Sequence, residues 1–175
     1  MSSSSLPLSF FGGAITASIP SEVGSRYADV SNMRPVPDNQ EVFMDVSGQD
    51  GSSLVVEILE FQNNVSTAEV AEYLFDDMMD LNSFSSGDCA VLNVSSQQGD
   101  SWCGERCPGS DGISMLCGKT PSMRAWLCVV RISKYSSEVA IWLYCPNETA
   151  EGFDGENVMK CLVDSFRVTN FALFG

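Results

Sequence analysis

The sequence predicts an α+β fold: a mostly antiparallel sheet, curved and flanked by helices. Three observations carry this. β-rich runs come in neighbouring pairs around short polar turns, residues 40–46 with 54–61 and 124–132 with 139–145. Two amphipathic stretches have helical spacing, and each stands apart from the other in the chain. Strands joined by hairpins with segregated helices are the signature of this class, whereas a parallel sheet alternates strand and helix.

In chain order, residues 14–19 alternate small and apolar side chains and read as a strand ending at Pro20. Residues 21–33 look loop-like, with Asp29 or Ser31 placed to cap a turn. Pro35 and Pro37 hold the next stretch extended, because proline restricts the residue before it. The strand pair at 40–46 and 54–61 flanks Ser47-Gly-Gln-Asp-Gly-Ser52. Ser66-Thr-Ala-Glu69 has the form of a capping box, followed by Val70, Leu74, Met78 and Leu81 at helical spacing. Asp76, Asp77 and Asp80 fall on the solvated side. Residues 89–94 read as a strand, and residues 95–121 as a long irregular excursion rich in Gly and Ser. After the second hairpin, residues 156–166 place Val158, Cys161, Leu162, Ser165 and Phe166 on one helical face. The terminal FRVTNFALFG returns as a strand and packs its aromatics on the core.

A length of 175 residues fits one domain with a substantial core. The expected layout is a disordered tail at 1–9 and a single domain at 10–175 with a variable loop at 95–121. No stretch approaches the roughly eighteen apolar residues of a membrane helix. The start, MSSSSLPLSFFGGA, lacks the positive region of a signal peptide, and the first arginine is Arg26. The net charge of −14, from 23 acids and 9 bases, repels nucleic acid and anionic lipid and favours a basic protein partner. A monomer without cofactor is expected.

Histidine is absent, so no Ser-His-Asp or Cys-His triad and no histidine metal site can be built. The seven cysteines have no repeated spacing, and Cys128, Cys145 and Cys161 sit in apolar runs, as suits a reducing compartment. Cys103-Gly-Glu-Arg-Cys107 has no second short pair nearby to complete a zinc site, so incidental thiols are favoured over zinc or a regulatory disulfide. Gly112-Ile-Ser-Met-Leu-Cys-Gly118-Lys119-Thr120 imitates a phosphate-binding loop but has one residue too many between its glycines. The paired carboxylates Asp38/Glu41, Glu57/Glu60 and Asp76/Asp77 invite acid–base chemistry only if a cleft raises one pKa of a pair. Glu57 and Glu60 interrupt an apolar strand, so at least one is expected to face solvent or a partner. A spacing of three puts them on opposite faces unless a bulge intervenes or the strand ends between them.

Three blocks then resemble the Ran guanine-nucleotide release factor family: Phe11-Gly-Gly-Ala-Ile15; Asp29-Val-Ser31 with Arg34; and Val36-Pro-Asp-Asn-Gln-Glu-Val-Phe43. Leu54-Val-Val-Glu-Ile-Leu-Glu60 is similar to the strand that follows in that family. The resemblance implies a PsbP-like α/β sandwich, Ran binding, promotion of nucleotide release and support of nuclear import from nucleus and cytoplasm. It implies Ran contact at Asp29, Asp38, Glu41, Glu57 and Glu60, gathered on one acidic face. It also implies structural roles for Gly12, Gly13, Arg34, Pro37 and Gln40, with Arg34 and Gln40 pinning the extended proline segment. The alternative is a lumenal or secreted structural subunit on the same fold, without GTPase binding.

Overall fold

The computed structural model describes residues 4–99, 102 and 104–175. The large sheet is made of β3 (Tyr27–Asp29), β4 (Gln40–Asp45), β5 (Ser53–Glu60), β6 (Ala90–Gln98), β7 (Gly112–Lys119), β8 (Met123–Ile132) and β9 (Ser137–Pro146). Its order is β3-β4-β5-β9-β8-β7-β6, antiparallel throughout. A small antiparallel sheet joins β1 (Ser5–Phe10), β2 (Ile15–Pro20) and β10 (Arg167–Val168), with β2 central. The helices are α1 (Ser21–Gly24), α2 (Val70–Leu81) and α3 (Gly155–Ser165).

The central strands read as continuous apolar runs because they are covered on both faces. Along β8, Trp126, Cys128, Val130 and Ile132 face a core shared with the small sheet and α3, through Ile15, Ile19, Val158 and Leu162. The alternate residues Ala125, Leu127 and Val129 face α2, where they meet Val70, Ala71, Leu74 and Phe75. β9 repeats the pattern, with Ile141 and Leu143 on the first face and Ala140 and Trp142 on the second. Each Val, Leu, Ile or Phe among them stabilises the fold by about 1.5–3 kcal/mol on full burial.

Both hairpins and both long helices fall where the residue pattern puts them. Four expectations are revised. Within the tail expected at 1–9, residues 5–9 instead belong to the edge strand β1, paired with β2 from Ser5 onward, while residues 1–3 lie outside the described residues. Pro7 interrupts the apolar run there, yet an edge strand tolerates a residue with no N–H to donate. The loop expected at 21–33 contains α1 and β3, too short for periodicity to show. The capping box forms by half. Glu69 accepts from the Ser66 amide at 3.4 Å, but the Ser66 hydroxyl donates to the same carboxylate at 2.7 Å instead of taking a helix amide.

The irregular excursion expected at 95–121 carries strand at both ends of its course, the end of β6 and all of β7, around a middle stretch without strand among its described residues. The outer strand β6 is exposed on nearly every residue, so its polar SSQQ end carried no alternation to detect. The phosphate-loop lookalike is β7 itself, with backbone partnered on both sides. Cys103 lies outside the described residues. Beyond it, Arg106 donates to the carbonyls of Val163 and Phe166, each at 3.2 Å, and so satisfies the end of α3.

Candidate partner-binding site

The Val36–Phe43 block is explained residue by residue. The Pro37 carbonyl accepts from the Gln40 amide at 2.9 Å and closes a turn. Asn39 locks that turn to β5: its carbonyl accepts from the Ile58 amide and its side chain donates to the Ile58 carbonyl, both at 2.9 Å. Gln40 donates to Glu57 at 2.9 Å. Glu41 accepts from the Phe11 amide at 2.8 Å. Val42 and Phe43 enter the core. The Asp38 carboxylate is exposed and makes no hydrogen bond or ion pair among the described residues, so its charge is fully presented.

Gly12 and Gly13 make the turn from β1 to β2, at φ +67° and +90°, where a side chain is strained. The turn is clamped from both sides. Phe11 is tied to Glu41, while Thr169 donates its hydroxyl to the Gly13 carbonyl and its amide to the Ala14 carbonyl. The glycines sit in this turn, Pro37 in the turn before β4, and Gln40 against Glu57. Arg34 does not pin the proline segment: it is exposed, without a hydrogen bond among the described residues, and Asn39 holds that turn instead.

The register divides the five carboxylates into two groups. Asp29, at the end of β3, lies opposite Phe43 and accepts from the Ser31 amide at 2.9 Å. It is close enough to act on Glu41. Burial raises the Glu41 carboxyl above its usual range, the Phe11 amide opposes this, and the Asp29 charge pushes it up again. With Asp38 in the adjoining turn, these form an acidic edge. Glu57 lies opposite Gln40, one position out of phase with Glu41, and so projects from the other face of the sheet. The single acidic face is therefore not formed.

On that other face, Glu57, Glu60 and Asp77 line a groove of about 600 Å³ between α2 and the sheet. Glu60 reaches it because β5 ends there. Glu57 is also tied to Trp142, whose indole N–H donates at 2.9 Å. Trp142 and Tyr144 stack at 5.6 Å and 6° between planes. Burial first, and then the Glu57 charge, push the Tyr144 phenol well above its ordinary pKa. Sequence reasoning missed these two aromatics, although their two-residue spacing in a strand was a signal of a shared face. Asp77, which the helical spacing puts on the solvated side of α2, lines the groove as well.

Residues 8–146 match the family model described as "Ran-interacting Mog1 protein". The chain belongs to the Mog1 family. Curated relatives named Ran guanine nucleotide release factor are 49% identical over 69 residues in Homo sapiens and 44% over 68 in Danio rerio. Each match covers 39% of this chain, and 33% and 34% of the respective relative. The matched stretch thus spans about a third of these relatives' length. A probable Ran guanine nucleotide release factor of Dictyostelium discoideum is 31% identical over 83 residues, 47% of this chain and 40% of that protein. The Ran-binding protein Mog1p of Saccharomyces cerevisiae superposes with a TM-score of 0.77 at 18% identity, over 99% of this chain and 100% of the other. The structure of a Mog1 point mutant gives 0.72 at 17% identity, over 98% and 100%. At these identities the structures establish the fold, the α+β sandwich.

Five thiols of this Mog1-family chain, Cys89, Cys117, Cys128, Cys145 and Cys161, sit in surroundings that disfavour nucleophilic chemistry. Burial pushes Cys128 up to about 12 and raises Cys89, Cys117, Cys145 and Cys161 as well, disfavouring the reactive thiolate. Among the described residues no three metal-ligating side chains converge, and no helix is long and apolar enough to cross a membrane.

Proposed function

We propose that this chain is a non-catalytic regulator that binds the Ran GTPase and promotes release of its guanine nucleotide, in support of nuclear protein import. The observation that carries the reading is the match of residues 8–146 to a family described as Ran-interacting. The exposed acidic edge supports it. Asp29 and Asp38, with Glu41 held behind them, offer carboxylates to a basic partner surface. Glu57 and Glu60, on the other face, add to the field that steers encounter.

The mechanism is one of linkage. A protein that binds the nucleotide-poor GTPase more tightly than the loaded form lowers nucleotide affinity by the same factor. No catalytic side chain or cofactor is required. The unpaired Cys89, Cys117, Cys128, Cys145 and Cys161 suit a reducing compartment, nucleus and cytoplasm. The net charge of −14 argues for a monomer that avoids nucleic acid and membrane surfaces.

The test is capture of purified Ran in its GDP, GTP and empty states, together with fluorescent-nucleotide release. Binding strongest to the empty state and faster release are expected. Asp38→Lys should weaken binding and leave the circular dichroism spectrum unchanged. Failure to bind any state of Ran would refute the proposal.

A further inference from the structure

The groove between α2 and the sheet is built differently from the acidic edge. Its floor is apolar and aromatic, from Val55, Trp142 and Tyr144. Its helical wall turns Tyr73 and Leu81 outward, 44% and 78% exposed. Its carboxylates, Glu57, Glu60 and Asp77, form no ion pair among the described residues. The helix VAEYLFDDMMDL supplies no base to neutralise them.

Glu57 is the most constrained of the three. Gln40 and Trp142 each donate to it at 2.9 Å, and both are neutral, so they fix the carboxylate without cancelling its charge. The conformational cost of ordering Glu57 is met in the free protein, which favours a cationic partner. Uncompensated negative charge beside aromatic rings attracts a guanidinium or ammonium group, and the exposed leucine and tyrosine next to it favour apolar side chains.

We propose that this groove docks a short amphipathic polypeptide segment of a partner protein. Its apolar side chains pack on Leu81, Tyr73 and Tyr144, and an arginine or lysine faces Glu57, Glu60 and Asp77. The site is distinct from the acidic edge, because Glu41 and Glu57 leave the sheet on opposite faces. It therefore stands whether or not the edge engages a GTPase. The carboxylates repel anionic lipid and nucleic acid, and a second copy would bring another −14 charge to the same place.

The test is fluorescence anisotropy of the labelled peptide Leu-Arg-Ala-Leu-Arg-Leu with the full chain, at low and high salt. Saturable, salt-weakened binding is expected. The double substitution Glu60→Lys with Asp77→Lys, both at exposed positions, should weaken it about tenfold or more. Leu81→Ser should weaken it severalfold, while Asp38→Lys changes it less than about twofold. Circular dichroism confirms that each variant is folded. Absence of saturable binding overturns the proposal. So does equal binding of Ser-Arg-Ala-Ser-Arg-Ser, or an equal loss with Asp38→Lys, since either would mean diffuse attraction to an acidic surface.

Discussion

Arg131 on β8 offers the sharpest energetic test of how the groove is held. Its side chain is 2% exposed and faces Glu138 of β9, which is 0% exposed. The guanidinium donates from Nε to Glu138 Oε1 at 3.1 Å and makes an ion pair from Nη2 to the same oxygen at 2.9 Å. It also donates to the carbonyls of Gln62 and Val65, at 2.7 and 2.6 Å, and lies 4.0 Å from the centre of the Phe61 ring. Glu138 Oε1 in turn accepts from the Gln62 amide at 2.9 Å, while Oε2 has no partner. One buried cation thus holds the segment that leads from β5 into α2. Arg131→Met removes it, strands an ionised carboxylate and orphans two carbonyls. Breaking a buried pair in this way costs about 3–5 kcal/mol, a large share of a domain's net stability of about 5–15 kcal/mol. For a chain of this size that corresponds to a Tm loss of roughly 6–20 °C. The double variant Arg131→Met with Glu138→Leu removes the stranded charge and should recover more than half of the loss. Urea denaturation of the parent, both single variants and the double variant gives the cycle. A loss below about 1 kcal/mol in the single variant would refute the reasoning. So would a double variant as unstable as the sum of the singles, since the pair would then carry no coupling.

Asp45 should dominate the acid limb of stability. Burial alone would raise its carboxyl, but donation from the amides of Asp50, Ser47 and Gly51 and from the Ser47 hydroxyl holds it far below the usual range. Its contribution is fully present above the unfolded aspartate value of about 3.9 and is lost as pH falls through the folded one. Asp45→Asn should therefore lower the urea midpoint at neutral pH and flatten its fall below roughly pH 5; curves parallel to the parent would refute this. Glu41 has the opposite sign. Its raised folded pKa makes the native state retain the proton, so stability declines as pH rises through the interval above the ordinary glutamate value. Glu41→Gln, which can still accept from the Phe11 amide, should match the parent at acid pH and equal or exceed it at neutral pH, as read from urea midpoints. Gly118→Ala should destabilise by about 1–3 kcal/mol, because its Cβ would come within 2.6 Å of the Phe75 ring and push α2 from the sheet.

Legibility in the sequence followed burial. β8 and β9 are apolar on both faces, so their runs were continuous, and the α2 stripe from Val70 to Phe75 was clear because those residues enter the core. β6 was half-lost because it lies at a sheet edge with exposed polar residues, and β1 because Pro7 interrupts it where pairing permits a proline. At the site, the proline turn and the glycines were readable from backbone chemistry. The split between Glu41 and Glu57 was not, because it depends on the register of β4 against β5, which neither strand records by itself.

That register has a mechanical consequence. Gln40 and Glu41 are adjacent, so their side chains leave β4 in opposite directions, one to Glu57 above the groove and the other to Phe11 at the β1–β2 turn. The two acidic surfaces are therefore joined through two consecutive residues, in a segment that Asn39 locks to β5. A rigid join of this kind lets each surface keep its geometry when the other is occupied, and it predicts near-additive effects of edge and groove substitutions on binding. A double-mutant cycle between Asp38→Lys and Asp77→Lys measures this. A coupling beyond about 0.5 kcal/mol would mean that the two surfaces communicate, and that β4 moves as they do so.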